Sequence, residues 1–216
     1  MLSGERVRQI AESPWFSRSD SPYLVVDTHL RIRAANSAYA LATGHPRAAL
    51  VGEMLFDVFP DNPDEPGADG VANLSASFEA VFRHGRRHWM GIQRYDVPDR
   101  DRPGRFRYRV WAPVNSPIEQ DGRTVGSVHR PEDVTAVFPT DASGSAWPQV
   151  KASARRLWGQ FPGLPYEAVV GVLAHSQRVV MAVAGRPDPE RGRELAALRL
   201  ELLAGHRRPG RPDPGA

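Results

Sequence analysis

The sequence predicts an α+β protein: a five-stranded antiparallel sheet with helices on one face, followed by a C-terminal three-helix bundle. Three observations carry this. Two short strand-like runs open the first part, "YLVVD" (23–27) and "RIRAA" (31–35), and three more close it, at 88–96, 105–114 and 123–130. Only helical signals and loops lie between these two groups. After "PTDASGS" (139–145) the apolar spacing is helical throughout.

Taken in order, Val7 and Ile10 give residues 1–20 weak helical periodicity that ends near Pro14, so they read as an N-terminal arm or helix. Thr28 and His29 form the turn between the first two strands. Asn36 suits the N-cap of a helix from Ser37, and Gly44 suits its left-handed end. "HPRAALVGEMLFDVFP" supplies short helical turns, and "DNPDEPGADG" is loop by composition. Over 71–84, Val71, Leu74, Phe78, Val81 and Phe82 share a helical face, and Gly85 stops the helix. "PDRDRPG" and "SPIEQDG" read as turns between the last three strands, with Asp121-Gly122 a hairpin signal. The resulting domains are 21–137, a linker at 138–145, a helical bundle at 146–204 and a disordered tail at 205–216. Within the bundle the expected stripes are Trp147, Val150, Leu157 and Phe161, with Trp158 alongside; then Val169, Val172, Leu173, Val180 and Val183; then Leu195, Leu198 and Leu202.

Composition removes several function classes. There is no cysteine, which excludes disulfides, thiolate metal sites, cysteine nucleophiles and cysteinyl photochemistry. The formal charge of +3 argues against a dedicated nucleic-acid binder. No secretory signal or membrane span is legible, so a cytoplasmic protein is expected. No H-E-x-x-H, G-x-S-x-G, P-loop or paired-histidine motif is present, and no enzymatic activity is expected. Asp61, Asp64, Glu65 and Asp69 cluster in one loop, where solvated acidic side chains are a simpler reading than a cation site.

Residues 20–136 resemble a PAS domain, of the type found upstream of bacterial histidine kinases. The resemblance is carried by "NSAYALATGHPRAALVGEMLFDVFPDNP", then "RYDVP", then "RFRYRVWAPVNSPIEQDGRTVGSVHRPEDVT". It implies a sensory module that holds a small ligand, a cofactor or nothing between its helices and its sheet, and often dimerises. It also implies that Asp133 to Thr135, matching the family's acidic–apolar–Thr signature, couple the sheet to whatever follows. Pro131 departs from the expected pattern: it lacks a ladder donor, so the strand should end there or run along an edge. No kinase motifs follow residue 136. More weakly, "PDPERGRELAALRLELL" is similar to small helical modules attached to bacterial regulators.

Tyr39, Phe56, Phe78, Phe82, Met90 and Trp111 are spaced to converge between helices and sheet, with Arg109 or Asn115 as polar groups. They form either a ligand pocket or an ordinary core. Haem-holding members of the family use a histidine on the long helix. Here that helix carries only His84, beside Gly85, where a solvated histidine is the simpler reading; His88 and His129 fall in strand candidates. The cofactor is therefore unknown. In "RFRYRVW" strict alternation would place Phe106, Tyr108 and Val110 on one face and Arg105, Arg107, Arg109 and Trp111 on the other, either gripping an anion or facing water. The expected function is a sensory or regulatory signalling protein whose partners are a small ligand and a protein or second copy of this chain, with no membrane and without nucleic acid. The alternatives are a ligand-free dimerisation scaffold and a nucleic-acid regulator acting through the bundle and the Arg-rich tail.

Overall fold

The computed structural model describes residues 1–135 and, beyond them, 159–161, 163–164, 169, 171–173, 175–176, 179–180, 183 and 189–206. The chain divides into two compact units, Met1–Thr135 and Ala136–Ala216.

The first unit begins with α1 (Gly4–Glu12) and the single turn α2 (Pro14–Ser17). Strands β1 (Leu24–Asp27) and β2 (Ile32–Ala35) form a hairpin, whose turn is held by the Asp27 carboxylate accepting from the backbone N–H groups of His29 and Arg31 at 2.9 and 3.1 Å. Helix α3 (Ser37–Thr43) starts and stops as its caps dictate: Asn36 Oδ1 accepts from Tyr39 N at 2.8 Å, and Gly44 is left-handed. A 3₁₀ turn (Arg47–Ala49), the short α4 (Leu55–Val58) and the long α5 (Gly70–His84) follow. The acidic loop is structural: Asp61 accepts from Val71 N at the start of α5, and Glu65 pairs with Arg94 at 2.5 Å.

The remaining strands are β3 (His88–Trp89), β4 (Gln93–Arg94), β5 (Val97–Pro98), β6 (Phe106–Arg107), β7 (Val110–Gln120) and β8 (Arg123–Asp133). The main sheet runs β2-β1-β8-β7-β3, with β4 also on β7, and every pairing is antiparallel. Counting β3 and β4 as one interrupted strand, this is the five-stranded sheet that the sequence predicts.

Three boundaries differ from expectation. The 88–96 strand is broken because Gly91, at φ 73°, turns the chain out of the ladder. The 105–114 strand is broken at Tyr108 and Arg109, since β6 pairs with β5 in a separate hairpin while β7 joins the main sheet. The "SPIEQDG" turn shrinks to Asp121-Gly122, both with positive φ, and β7 and β8 pair from Gln120 and Arg123 onward. Pro131 does not end β8. It lies opposite Pro113, a pair in which neither residue has a proton to donate, and the pairing with β1 has already stopped at His129.

Successive residues of β1 point to opposite faces and divide the core in two. Leu24 and Val26 join Ile32, Tyr39, Leu50, Leu55, Phe59, Leu74, Phe78 and Trp111 beneath the helices. Val25 joins Ala34, Ile118 and Val125 with Leu2, Ile10 and Phe16. Residues 1–20, expected as an arm or helix, are thus two helices that cover part of the sheet's second face. Asn36 ties them down: its Nδ2 donates to Phe16 O at 3.1 Å and Ser21 O at 2.8 Å.

Where β1 crosses β8, a Cβ on Gly126 would stand 2.4 Å from the carbonyl oxygen of Val26. Backbone cannot yield there as a side chain can. Gly126→Ala is expected to destabilise the first unit by about 1–3 kcal/mol, read as a lower urea midpoint; an unchanged midpoint would mean that β1 and β8 sit further apart.

In the second unit every described residue of the expected 166–184 helix is helical, with Val169, Leu173 and Val180 buried and Val183 82% exposed. Helix α6 (Pro189–His206) extends two residues into the expected tail. Its buried side chains are Ala196 and Leu200, while Leu198 and Leu202 are mostly exposed. Apolar residues occupy most of the helix circumference, so spacing alone selected the wrong stripe. The linker at 138–145, most of the 146–161 helix and the rest of the tail lie outside the described residues.

Candidate functional site

Between α3, α4 and α5 on one side and the sheet on the other lies a cavity of about 40 Å³. Its walls are mostly apolar: Leu55, Phe59, Leu74, Met90, Val97, Trp111, Pro113 and Pro131. Tyr39, Thr43, Gln93, Tyr95, Asp96 and His129 bring polar atoms to it. Most of these are already engaged. Thr43 Oγ1 donates to Tyr39 O, Gln93 bonds Asn73 and Met90 O, and the Tyr95 hydroxyl donates to Phe59 O. Asp96 accepts from Asn62 at 2.9 Å and from Arg94 at 2.9 and 3.2 Å, and the indole N–H of Trp111 donates to Tyr95 O at 2.8 Å.

Two groups are left over. Tyr39 is 3% exposed and its hydroxyl has no hydrogen-bond partner among the described residues. His129 is 5% exposed and is bonded through Nδ1 only. Its ring lies between those of Tyr39 and Phe78, with centroids at 6.4 and 5.8 Å. Burial pushes the His129 pKa from 6.5 down to about 3, so the imidazole is neutral, and burial likewise raises the Tyr39 phenol well above its ordinary value. Both residues line the cavity, so a molecule inside it is what these two remaining atoms can bond.

His129 is also the inner end of a hydrogen-bonded row. His88, Asn115 and His129 are laterally paired across β3, β7 and β8. Asn115 Oδ1 contacts His129 Nδ1 at 2.7 Å, Asn115 Nδ2 donates to Ser77 Oγ at 2.7 Å, and Ser77 Oγ meets His88 Nδ1 at 2.7 Å. Ser77 is buried on α5, whereas His88 is exposed, so the row runs from the surface to the cavity.

A haem or a flavin does not fit this space. Cofactor sites usually measure several hundred cubic ångströms, on the order of 300–1,000 Å³, against about 40 Å³ here. Among the described residues, no group of three or more His, Asp or Glu side chains could hold a metal ion.

Residues 16–137 match the family model described as the PAS fold. The chain belongs to the PAS family. Solved structures similar to it include the PAS domain of a protein from Colwellia psychrerythraea, with 16% identity, coverage of 59% of this chain and 95% of that one, and a TM-score of 0.44. The PAS domain of nitrogen regulation protein NR(II) from Vibrio parahaemolyticus has 17% identity, 55% and 94% coverage and a TM-score of 0.40. The Rhodobacter sphaeroides LOV protein has 15% identity, 95% and 97% coverage and a TM-score of 0.46. No curated protein matches.

At the exit of this PAS domain, Asp133 and Thr135 fasten the end of β8 to the start of β7. Asp133 Oδ1 accepts from Thr135 N at 2.9 Å, and Thr135 Oγ1 accepts from Val110 N at 2.9 Å. Val134, fully buried, donates to Val110 O at 2.9 Å, and Arg109 pairs with Asp133 at 3.6 Å.

Of the candidate pocket residues, Tyr39, Met90 and Trp111 line the PAS cavity. Phe78 is core beside His129, and Phe56 and Phe82 pack at the edge of the same cluster. Asn115 lies beneath the wall and acts through His129. Arg109 is away from the cavity, at the exit. The proposed alternation of 105–111 does not hold, because the break at Tyr108 resets the faces: Trp111 turns inward, while Arg107 reaches Thr43 O at the end of α3, at 3.2 Å. That leaves no row of arginines to grip an anion. His84 sits exposed in the last turn of α5. The central group, His129, was visible in the sequence only as a histidine in a strand. What would have flagged it is its lateral pairing with Asn115.

Proposed function

We propose that this chain is a non-enzymatic cytoplasmic sensor: its PAS domain takes up a small molecule between Tyr39 and His129 and passes the change through β8 to the residues after Thr135. PAS domains are sensory signalling modules, and among the described residues no helix is long and apolar enough to cross a membrane. The observation that carries the reading is two buried side chains on one cavity, Tyr39 and His129, each with a polar atom that no described residue bonds. Its route outward is short: His129 and Pro131 lie on the cavity wall, Asp133 ends the same strand, and Thr135 follows two residues on.

The test is a nuclear magnetic resonance titration of the full chain with fragments of a few heavy atoms, the size that a cavity of about 40 Å³ admits. Some fragments are expected to shift Met90 and His129 together with the amides of Val134 and Thr135. Cavity shifts that stop short of residue 133 would overturn the route, and no cavity shift with any fragment would overturn the binding.

Thr135→Val probes the joint itself. It removes the partner of the Val110 amide and is expected to cost about 1–3 kcal/mol, with faster hydrogen exchange at Val110. A Val110 amide that stays protected would show that the threonine is not what holds the exit.

A further inference from the structure

Resting on that reading, we infer that the PAS cavity selects uncharged, hydroxyl-bearing molecules of a few heavy atoms, and that the row His88–Ser77–Asn115 enforces this by holding His129 as a hydrogen-bond acceptor. The argument follows the protons. The amide of Asn115 is held by Ser77 Oγ, 2.7 Å from Nδ2, and Met90 identifies that end: its Sδ lies 3.5 Å from Nδ2, and sulfur accepts weakly and cannot donate, so the NH₂ end belongs there and on Ser77 Oγ. Oδ1 then faces His129 Nδ1 at 2.7 Å, and the only proton available for that bond is on the imidazole. A neutral ring that donates from Nδ1 has a bare lone pair on Nε2. Ser77, already accepting from Asn115, is free to donate its own proton to His88 Nδ1 at 2.7 Å, so every link runs in one sense.

The cavity therefore offers an acceptor, His129 Nε2, and a hydroxyl that can donate, on Tyr39. A single hydroxyl group on a ligand satisfies both, giving its proton to His129 and receiving one from Tyr39. An anion would face the Nε2 lone pair with no Arg or Lys among the described residues that line the wall, and Arg94, beside Asp96, is held by Asp96 and Glu65 at 2.9 and 2.5 Å. A cation would have to take Asp96 from Arg94. Either ion would lose its hydration in an apolar space with little in return. The volume, about 40 Å³, limits the molecule to a few heavy atoms.

The probes are 1-propanol, propionate and propylammonium, added near neutral pH to the isotope-labelled full chain, with the side-chain nitrogens of His129 observed directly. The expected result is an Nδ1–H tautomer in the free protein, a shift at Nε2 with 1-propanol, and about tenfold or weaker binding of both ions. Ser77→Ala lies outside the cavity and cuts the row. It is expected to mix the His129 tautomers and erode the preference for the alcohol severalfold, while unfolding stays cooperative. An Nε2–H tautomer in the free parent, equal or tighter binding of either ion at His129, or an unaltered tautomer in Ser77→Ala would each overturn the inference and leave the binding site standing. If none of the three probes moves any cavity resonance and the fragment titration is also silent, the binding reading itself fails.

Discussion

Phe78→Ala is expected to lower the stability of the PAS domain by about 3–5 kcal/mol. Phe78 is 1% exposed, stacks on Phe82 with centroids 6.0 Å apart, and presses on the His129 ring at 5.8 Å. Truncation removes the transfer free energy of a whole ring. It also leaves a void that the sheet and α5 cannot close, because Val81 and Leu74 hold the same helix face against the core. Equilibrium urea unfolding of the full chain, followed by a probe in the first unit, gives the number. A loss under about 1.5 kcal/mol, the range of a swap that conserves core volume, would mean that Phe82 swings into the space. That outcome would remove Phe78 as the group that holds the His129 ring in place.

Acidification should cost the same domain about 2–3 kcal/mol through His129 alone on going from pH 7 to pH 4.5. The folded-state pKa is about 3 and the ordinary value is 6.5, so between those limits the unfolded chain binds a proton that the native ring refuses. Stability is therefore undiminished above about pH 6.5, falls as the pH drops below it, and levels off only near the folded pKa. His45, buried against Phe59 with its ring 5.0 Å away, is pushed down chiefly by burial and adds in the same direction. Comparison with His129→Gln isolates the effect: the parent should lose about 2–3 kcal/mol more than the variant over that interval. Parallel stability curves would show that the His129 ring reaches solvent and is charged at low pH, contrary to its position between Tyr39 and Phe78.

How much of this was legible in the sequence depends on how far each signal reaches along the chain. Asn36 and Gly44 each act on backbone within a few residues, and both cap α3 as expected. The stripe of α5 is a repeat of three and four residues, and its central members Leu74, Phe78 and Val81 are buried as expected. The same method misassigned α6, where too many positions are apolar to distinguish a face, and it could not see Gly91 or Tyr108 breaking strands that alternate well on paper.

The candidate site shows the limit most clearly. Counting outward from the Asp121-Gly122 turn, a regular hairpin would set Asn115 opposite Val128. The ladder does begin that way, with Gln120 on Arg123 and Glu119 on Thr124. A bulge between Ile118 and Glu119 then shifts the register by one residue, and Asn115 meets His129. Without that slip the two side chains would point to opposite faces, and the row from His88 to the cavity would not exist.

By itself, then, the sequence determined the PAS fold, the order and type of its elements, the caps of α3, the helix that covers the sheet and the absence of any cysteine chemistry. These follow from local capping, from periodicity and from composition, each of which is complete within a short window of chain. The tertiary structure alone decided that residues 1–20 cover the second face, that Trp111 turns inward while Arg109 goes to Asp133, and that His129, bonded to Asn115 on one side, shares a cavity with Tyr39 on the other. Those outcomes depend on strand register and on contacts between residues far apart in the chain, where one residue of slip reverses which face a side chain takes.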